Sequence, residues 1–214
     1  MAVIAITGAN RGIGLALASQ LSDEHEVHAL CRTPSTALQK LSVTIYAGVD
    51  VQDPSTYPTS LPSLDILINN AGILRRDSIE QLDISDIQAQ FTVNALGPLL
   101  MTKSLLPKLS NGSKVIIITS RMGSITDNTS GRMYGYRMSK AAVNMVGKSL
   151  TLDLAPQGIA VALLHPGYVR TDMTGGNGYI STTESAQGLI RQIERLKIEN
   201  TGSFWHCNGE ELPW

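Results

Sequence analysis

The chain has 214 residues, 43% of them hydrophobic and 16% charged, with a formal net charge of −1. That size suits one substantial core and a single domain. Basic residues are scattered singly apart from the pair Arg75-Arg76, which leaves no electrostatic footprint for nucleic acid or an anionic membrane. Cys31 and Cys207 form no metal-ligand spacing, no segment approaches the ~20 apolar residues of a membrane span, and no basic-flanked apolar start marks a secretory signal. A soluble, cytoplasmic protein is expected.

In chain order, β-rich apolar runs fall at Val3–Thr7, Glu26–Cys31, Val43–Ala47, Leu64–Asn69, Lys114–Thr119, Ile159–Leu164 and Ser203–His206, separated by helix-period segments. Strands alternating with helical crossovers predict a single-domain α/β Rossmann architecture, a doubly wound seven-stranded parallel sheet with helices on both faces. Runs such as Val115-Ile-Ile-Ile-Thr119 are continuously apolar, as a strand covered on both faces requires.

The first strand leads into Thr7-Gly8-Ala9-Asn10-Arg11-Gly12-Ile13-Gly14 and then a strong helix beginning. A strand, a glycine-rich turn and a helix N-terminus make an anion site, because unpaired N–H groups and the helix dipole face the ligand. Gly8 would allow the tight turn, Gly12 the approach of a pyrophosphate and Gly14 the packing of helix on strand. The spacing is G-x-x-x-G-x-G, so it matches the dinucleotide fingerprint in context and not in letter. The second strand ends at Arg32 with no acid for ribose hydroxyls, and Arg11 adds a second cation. Guanidinium groups there favour NADP(H), with NAD(H) possible.

Thr33-Pro34 predicts an N-cap and first helical residue, and Asn94, Gly97 and Pro98 predict a broken or kinked helix within 82–109. The next long helix carries Tyr136 and Lys140. Residues four apart share a helix face, and a nearby ammonium lowers a phenol from its usual pKa of about 10. That places acid–base chemistry within range of neutral pH. Pro156 with Gly158 closes this helix, and Ser181-Thr-Thr-Glu184 reads as the capping box of the last one. The glycine-rich segment 167–181 reads either as a mobile lid or as a plain flexible loop. Met122, Tyr168, Met173 and Trp205 are candidates for a hydrophobic substrate pocket or for core filler.

The glycine loop, the tetrad Asn69-Asn70-Ala71-Gly72, Ser120, the Tyr136/Lys140 pair and His165-Pro166-Gly167-Tyr168-Val169-Arg170-Thr171 follow successive strand ends in one order. Together they resemble the short-chain dehydrogenase/reductase family over essentially the whole chain. The stretches 120–131 and 134–140 and the ending Gly209-Glu-Glu-Leu-Pro-Trp214 look more narrowly like the sniffer-like carbonyl reductases and the bacterial C-factor group. The resemblance implies Tyr136 as general acid–base, Lys140 tuning it and holding the nicotinamide ribose, and Ser120 bonding the substrate carbonyl. It implies that Asn94 holds a water linking Lys140 to solvent, although a helix-breaking role is the plain reading of that residue. Asn70, Ala71 and Gly72 would line the adenine ribose, Asp50 and Val51 the adenine ring, and Pro166, Gly167, Val169 and Thr171 the nicotinamide side. Ser124 competes with Ser120, which is preferred because it follows the strand directly, and Tyr134 is a rival that lacks a lysine four residues on.

The expected function is reversible reduction of a small-molecule ketone or aldehyde by NADPH, in a homodimer or homotetramer without a metal. The alternative is a dinucleotide-binding signalling or regulatory protein with incidental catalysis.

Overall fold

The computed structural model describes all 214 residues, Met1–Trp214. Seven strands form one sheet: β1 (Val3–Thr7), β2 (Glu26–Cys31), β3 (Thr44–Ala47), β4 (Ile66–Asn69), β5 (Lys114–Ile118), β6 (Ala160–His165) and β7 (Ser203–His206). Their order is β3-β2-β1-β4-β5-β6-β7, and every neighbouring pair is parallel. The chain winds outward one way from β1 and the other way from β4, so the topological switch point lies between these two strands. In such sheets a crevice opens beyond the carboxyl ends of the strands at that point.

Five α-helices cover the sheet: α1 (Gly12–Leu21), α2 (Ile84–Phe91), α3 (Gly97–Leu105), α4 (Tyr134–Leu154) and α5 (Thr182–Arg195). Successive strand side chains face opposite ways, and the two cores follow from that. Ile4, Ile6 and Ile116 pack with Leu17, Leu21, Leu189 and Ile193 of α1 and α5. Ala5, Val115 and Val161 pack with Met101 and Leu105 of α3 and Leu154 of α4. Strands buried on both sides explain the continuous apolar runs in the sequence.

All seven predicted strands form, with ends shifted by at most two residues. The predicted break near Asn94 is a single π turn, Thr92–Leu96, in which the Gly97 N–H donates to the Thr92 carbonyl. An extra residue in one helical turn realigns the axis between α2 and α3 without ending either helix. Pro98, which has no N–H to donate, falls directly after this wider turn, where the regular bonding pattern is already altered. The capping box at Ser181 and Glu184 forms as predicted, and α4 ends at Leu154 and runs into a 3₁₀ turn, Ala155–Gln157, that Gly158 closes with φ +70°.

The helix expected from Thr33-Pro34 does not form. Residues 32–43 hold one 3₁₀ turn, Leu38–Lys40, whose Leu38 N–H donates to the Ser35 hydroxyl at 3.2 Å. Leu38 is fully buried in the core, and anchoring it between closely spaced parallel strands leaves no room for a long crossover helix, so tertiary packing overrides the local capping signal.

Candidate functional site

The crevice at the switch point is lined by Gly8, Asn10, Arg11, Gly12, Ile13 and Gly14 of the first loop and by Arg32, Asp50 and Val51 beyond β2 and β3. Asn70, Ala71 and Gly72 beyond β4, Tyr136 and Lys140 of α4, and Pro166 and Thr171 beyond β6 complete the predicted residues in its wall. Thr7 stands behind the wall, where its hydroxyl accepts the Asn70 and Ala71 N–H groups at 3.0 and 3.1 Å. The Asn70 amide donates back to the carbonyls of Thr7 and Gly8 at 3.0 and 3.2 Å. The two loops that flank the switch point are therefore stitched into one cradle by side chains of each. Gly14 seals it: a Cβ there would sit 2.4 Å from the Gly8 carbonyl oxygen and 2.5 Å from the Asn70 amide nitrogen. Arg11 spans the mouth to Asp172 at 3.5 Å.

Asn94 also lies behind the wall. Its side chain accepts the Ile73 N–H at 2.8 Å and donates to the Ile73 carbonyl at 2.9 Å and to Ser139 at 3.0 Å. This amide, carried by the π turn, joins the segment following Gly72 to α4.

Tyr136 lines the crevice and Ser120 lies beside it just outside the lining, both nearly buried; the Ser120 hydroxyl acts on the phenol and itself accepts the Met122 N–H at 3.1 Å. Lys140 is one turn further along α4, its ammonium 5.8 Å from the Tyr136 ring centre and donating to the Ile118 carbonyl at 3.0 Å. The four-residue spacing alone predicts a phenol lowered by the cation. Here burial pushes Tyr136 up to about 12, and the Ser120 hydrogen bond offsets only part of that. Burial also pulls Lys140 down to about 8. Removing each group from water disfavours its charged form, and at these positions that effect outweighs their mutual attraction.

Of the competing residues, Ser124 is committed elsewhere: its hydroxyl donates to the Trp214 carbonyl oxygen at 3.0 Å and accepts the Asp127 N–H at 3.1 Å. Tyr134 is 39% exposed at the helix start and outside the crevice lining. Gly167 and Val169 support the segment beyond β6 without forming the crevice surface. That segment is held by its own bonds, with the Arg170 N–H donating to Ile180 at 3.0 Å and the Tyr179 N–H to Tyr168 at 2.7 Å. Trp205 belongs to the core, stacked under Arg195 at 4.5 Å, and does not shape a pocket. Met173 does line the crevice.

The sequence reading missed Gly123. A Cβ there would lie 2.6 Å from the Lys140 carbonyl carbon, so only glycine lets the segment after Ser120 lie directly on α4. It also missed His165, whose imidazole is held neutral, down to about 3, by burial and by His206, Arg121 and Lys140 nearby. A histidine before a Pro-Gly pair carries no signal that separates a neutral buried ring from a catalytic one.

Residues 2–178 match the short chain dehydrogenase family. The chain is 39% identical over its full length, and over the full length of the relative, to a 1-hydroxy-2-glutathionyl-2-methyl-3-butene dehydrogenase of Rhodococcus sp. strain AD45. It is 45% identical to the C-signal of Myxococcus xanthus over 71% of this chain and 93% of that one. A NADPH-bound carbonyl reductase from chicken fatty liver superposes with a TM-score of 0.90 at 30% identity, covering 100% of this chain and 99% of that one. The wound sheet, the stitched cradle and these likenesses agree, and the chain belongs to the short chain dehydrogenase family of oxidoreductases.

Proposed function

We propose that the chain is an NADP-dependent carbonyl reductase or alcohol dehydrogenase with Tyr136 as its acid–base group. The carrying observation is the meeting of the Tyr136 and Ser120 side chains beside Lys140 at the rim of the crevice. The crevice suits a dinucleotide phosphate: backbone N–H groups at the start of α1 offer anion donors, and Arg32 and Arg11 offer guanidinium groups with no acid at the end of β2. NADPH in the chicken reductase supports the same choice. Bound there, the nicotinamide supplies the hydride.

The chain's own residues do the rest. Negative charge develops on the substrate oxygen, and Tyr136 gives that oxygen its proton while Ser120 donates a second hydrogen bond. Burial keeps the phenol protonated at neutral pH, so the proton is in place when the substrate oxygen gains charge. Lys140 stabilises the phenolate left behind and holds the ribose, and Asn94 fixes the wall against α4. The exposed apolar residues Met145 and Leu152 on α4 and Ile84 and Phe91 on α2 support a homodimer through these helices.

Replacing Tyr136 with Phe tests the reading: turnover of NADPH with a carbonyl panel should vanish while NADPH binding survives. The likeness to the C-signal favours a second reading, a dinucleotide-binding signalling protein. Tight NADPH binding with no oxidation across a broad carbonyl panel would select it.

A further inference from the structure

We propose that Asp77 is the residue that positions Tyr136, a role that rests on the acid–base reading of that tyrosine. Helix α4 begins without a cap of its own, because Met133 has no side-chain oxygen to offer. Asp77, far away in sequence, supplies the acceptors. One carboxylate oxygen accepts the Tyr134 N–H, the other accepts the Gly135 N–H at 2.9 Å, and its backbone carbonyl accepts the Met133 N–H at 3.1 Å. Three consecutive donors at the start of the helix thus end on one residue, and a carboxylate at a helix N-terminus complements the exposed N–H groups and the dipole.

Two further observations show that this start is held and not merely allowed. Arg132 and Met133 both adopt left-handed backbone, with φ of 55° and 57°, which non-glycine residues keep only when their surroundings impose it. Gly135 is pressed against α2 and Asp77: a Cβ there would lie 2.5 Å from the Gln90 amide nitrogen and 3.2 Å from the Asp77 carboxylate. The next residue is Tyr136.

The stretch leading to Asp77 is the outgoing wall of the crevice. Ile73 is bonded to Asn94, and the Arg75 N–H donates to the buried Gln90 side chain at 2.8 Å. Asp77 then closes the path onto α4. The segment that borders the cofactor wall and the first turn that aims the phenol are joined through one carboxylate, so their separation is set there. Losing it frees the first turn, and misplacement of a reacting group by an ångström costs about 10²-fold in rate.

The test uses the full chain, NADPH and 4-nitrobenzaldehyde, with Asp77→Ala, Asp77→Asn, Asp77→Glu and Tyr136→Phe measured together. Asp77→Ala should lower kcat about 10- to 100-fold with NADPH affinity, read by cofactor fluorescence, nearly unchanged. Asp77→Asn, which keeps an acceptor, should restore much of that loss. Asp77→Glu keeps the charge but displaces the helix start by a methylene, and serves if the alanine variant does not fold; kcat should fall about 5-fold or more at unchanged NADPH affinity. Retained kcat in the folded alanine variant, or in Asp77→Glu where alanine does not fold, overturns the assignment. So does loss of kcat in step with NADPH affinity. If Tyr136→Phe itself keeps turnover, the acid–base reading falls and takes this role with it, whereas loss in Tyr136→Phe alone overturns only Asp77.

Discussion

The cradle around the glycine loop and the rim around Tyr136 are built on opposite plans. The cradle is made of backbone: a glycine turn, the start of α1 and a neighbouring loop, stitched by Thr7 and Asn70 across adjacent strands. The rim is made of side chains from α4 and from the turn after β5, and it relies on distant partners such as Asp77, Asn94 and Gly123. Backbone binds charge through geometry that a few glycines permit, whereas proton transfer needs particular side chains held out of water. Binding and chemistry should therefore be separable by mutation.

Tyr136→Phe should break the rim alone, lowering kcat about 10³-fold while the NADPH dissociation constant stays within a factor of two of wild type. Steady-state kinetics and a binding titration on the same protein check this. Gly14→Ala should do the reverse. Its Cβ would collide with the Gly8 carbonyl and Asn70, and relieving such a clash costs about 1–3 kcal/mol, so NADPH affinity should weaken roughly 10- to 100-fold. Turnover at saturating NADPH should change far less.

The burial of the rim has a pH signature that the cradle lacks. Folded Lys140 releases its proton near 8, whereas an unfolded lysine does so near 10.4. Between those values the unfolded chain holds more protons, so stability rises with pH. Tyr136 has the opposite sign: its folded pKa of about 12 lies above that of an unfolded tyrosine, so stability falls once the pH passes about 10. Urea unfolding at pH 7.5 and 9.5 should show Lys140→Met losing a gain of about 2 kcal/mol that the wild type makes over this interval. Equal slopes in the two proteins would show that Lys140 is not desolvated in the fold. The smallest effect belongs to cofactor choice: Arg32→Ala should raise the KM for NADPH about 10-fold with little change for NADH, the loss of one charge-assisted hydrogen bond.

How much could be read in advance follows the same division. Gly8, Gly12 and Gly14 lie within one short stretch after β1, so the loop and its ligand class were legible from local pattern. Tyr136 and Lys140 were legible because a helix period places them together. Asp77 and Gly123 were not, since neither has a local partner and each matters only through a contact with α4. The Thr33-Pro34 signal misled for the complementary reason: a sound local cap was overruled by the short path that buries Leu38.

The order of apolar runs determined the wound sheet, because a strand covered on both faces must be apolar throughout and parallel strands need crossovers. Residue chemistry determined the candidates for proton transfer. Only the folded chain decided which hydroxyl lies beside the phenol, with Ser124 bonded to the Trp214 carbonyl and Ser120 next to Tyr136 while accepting the Met122 N–H. Only the fold, too, set the protonation of the site, since burial is a property of packing and here it outweighs the attraction between an amine and a phenol four residues apart.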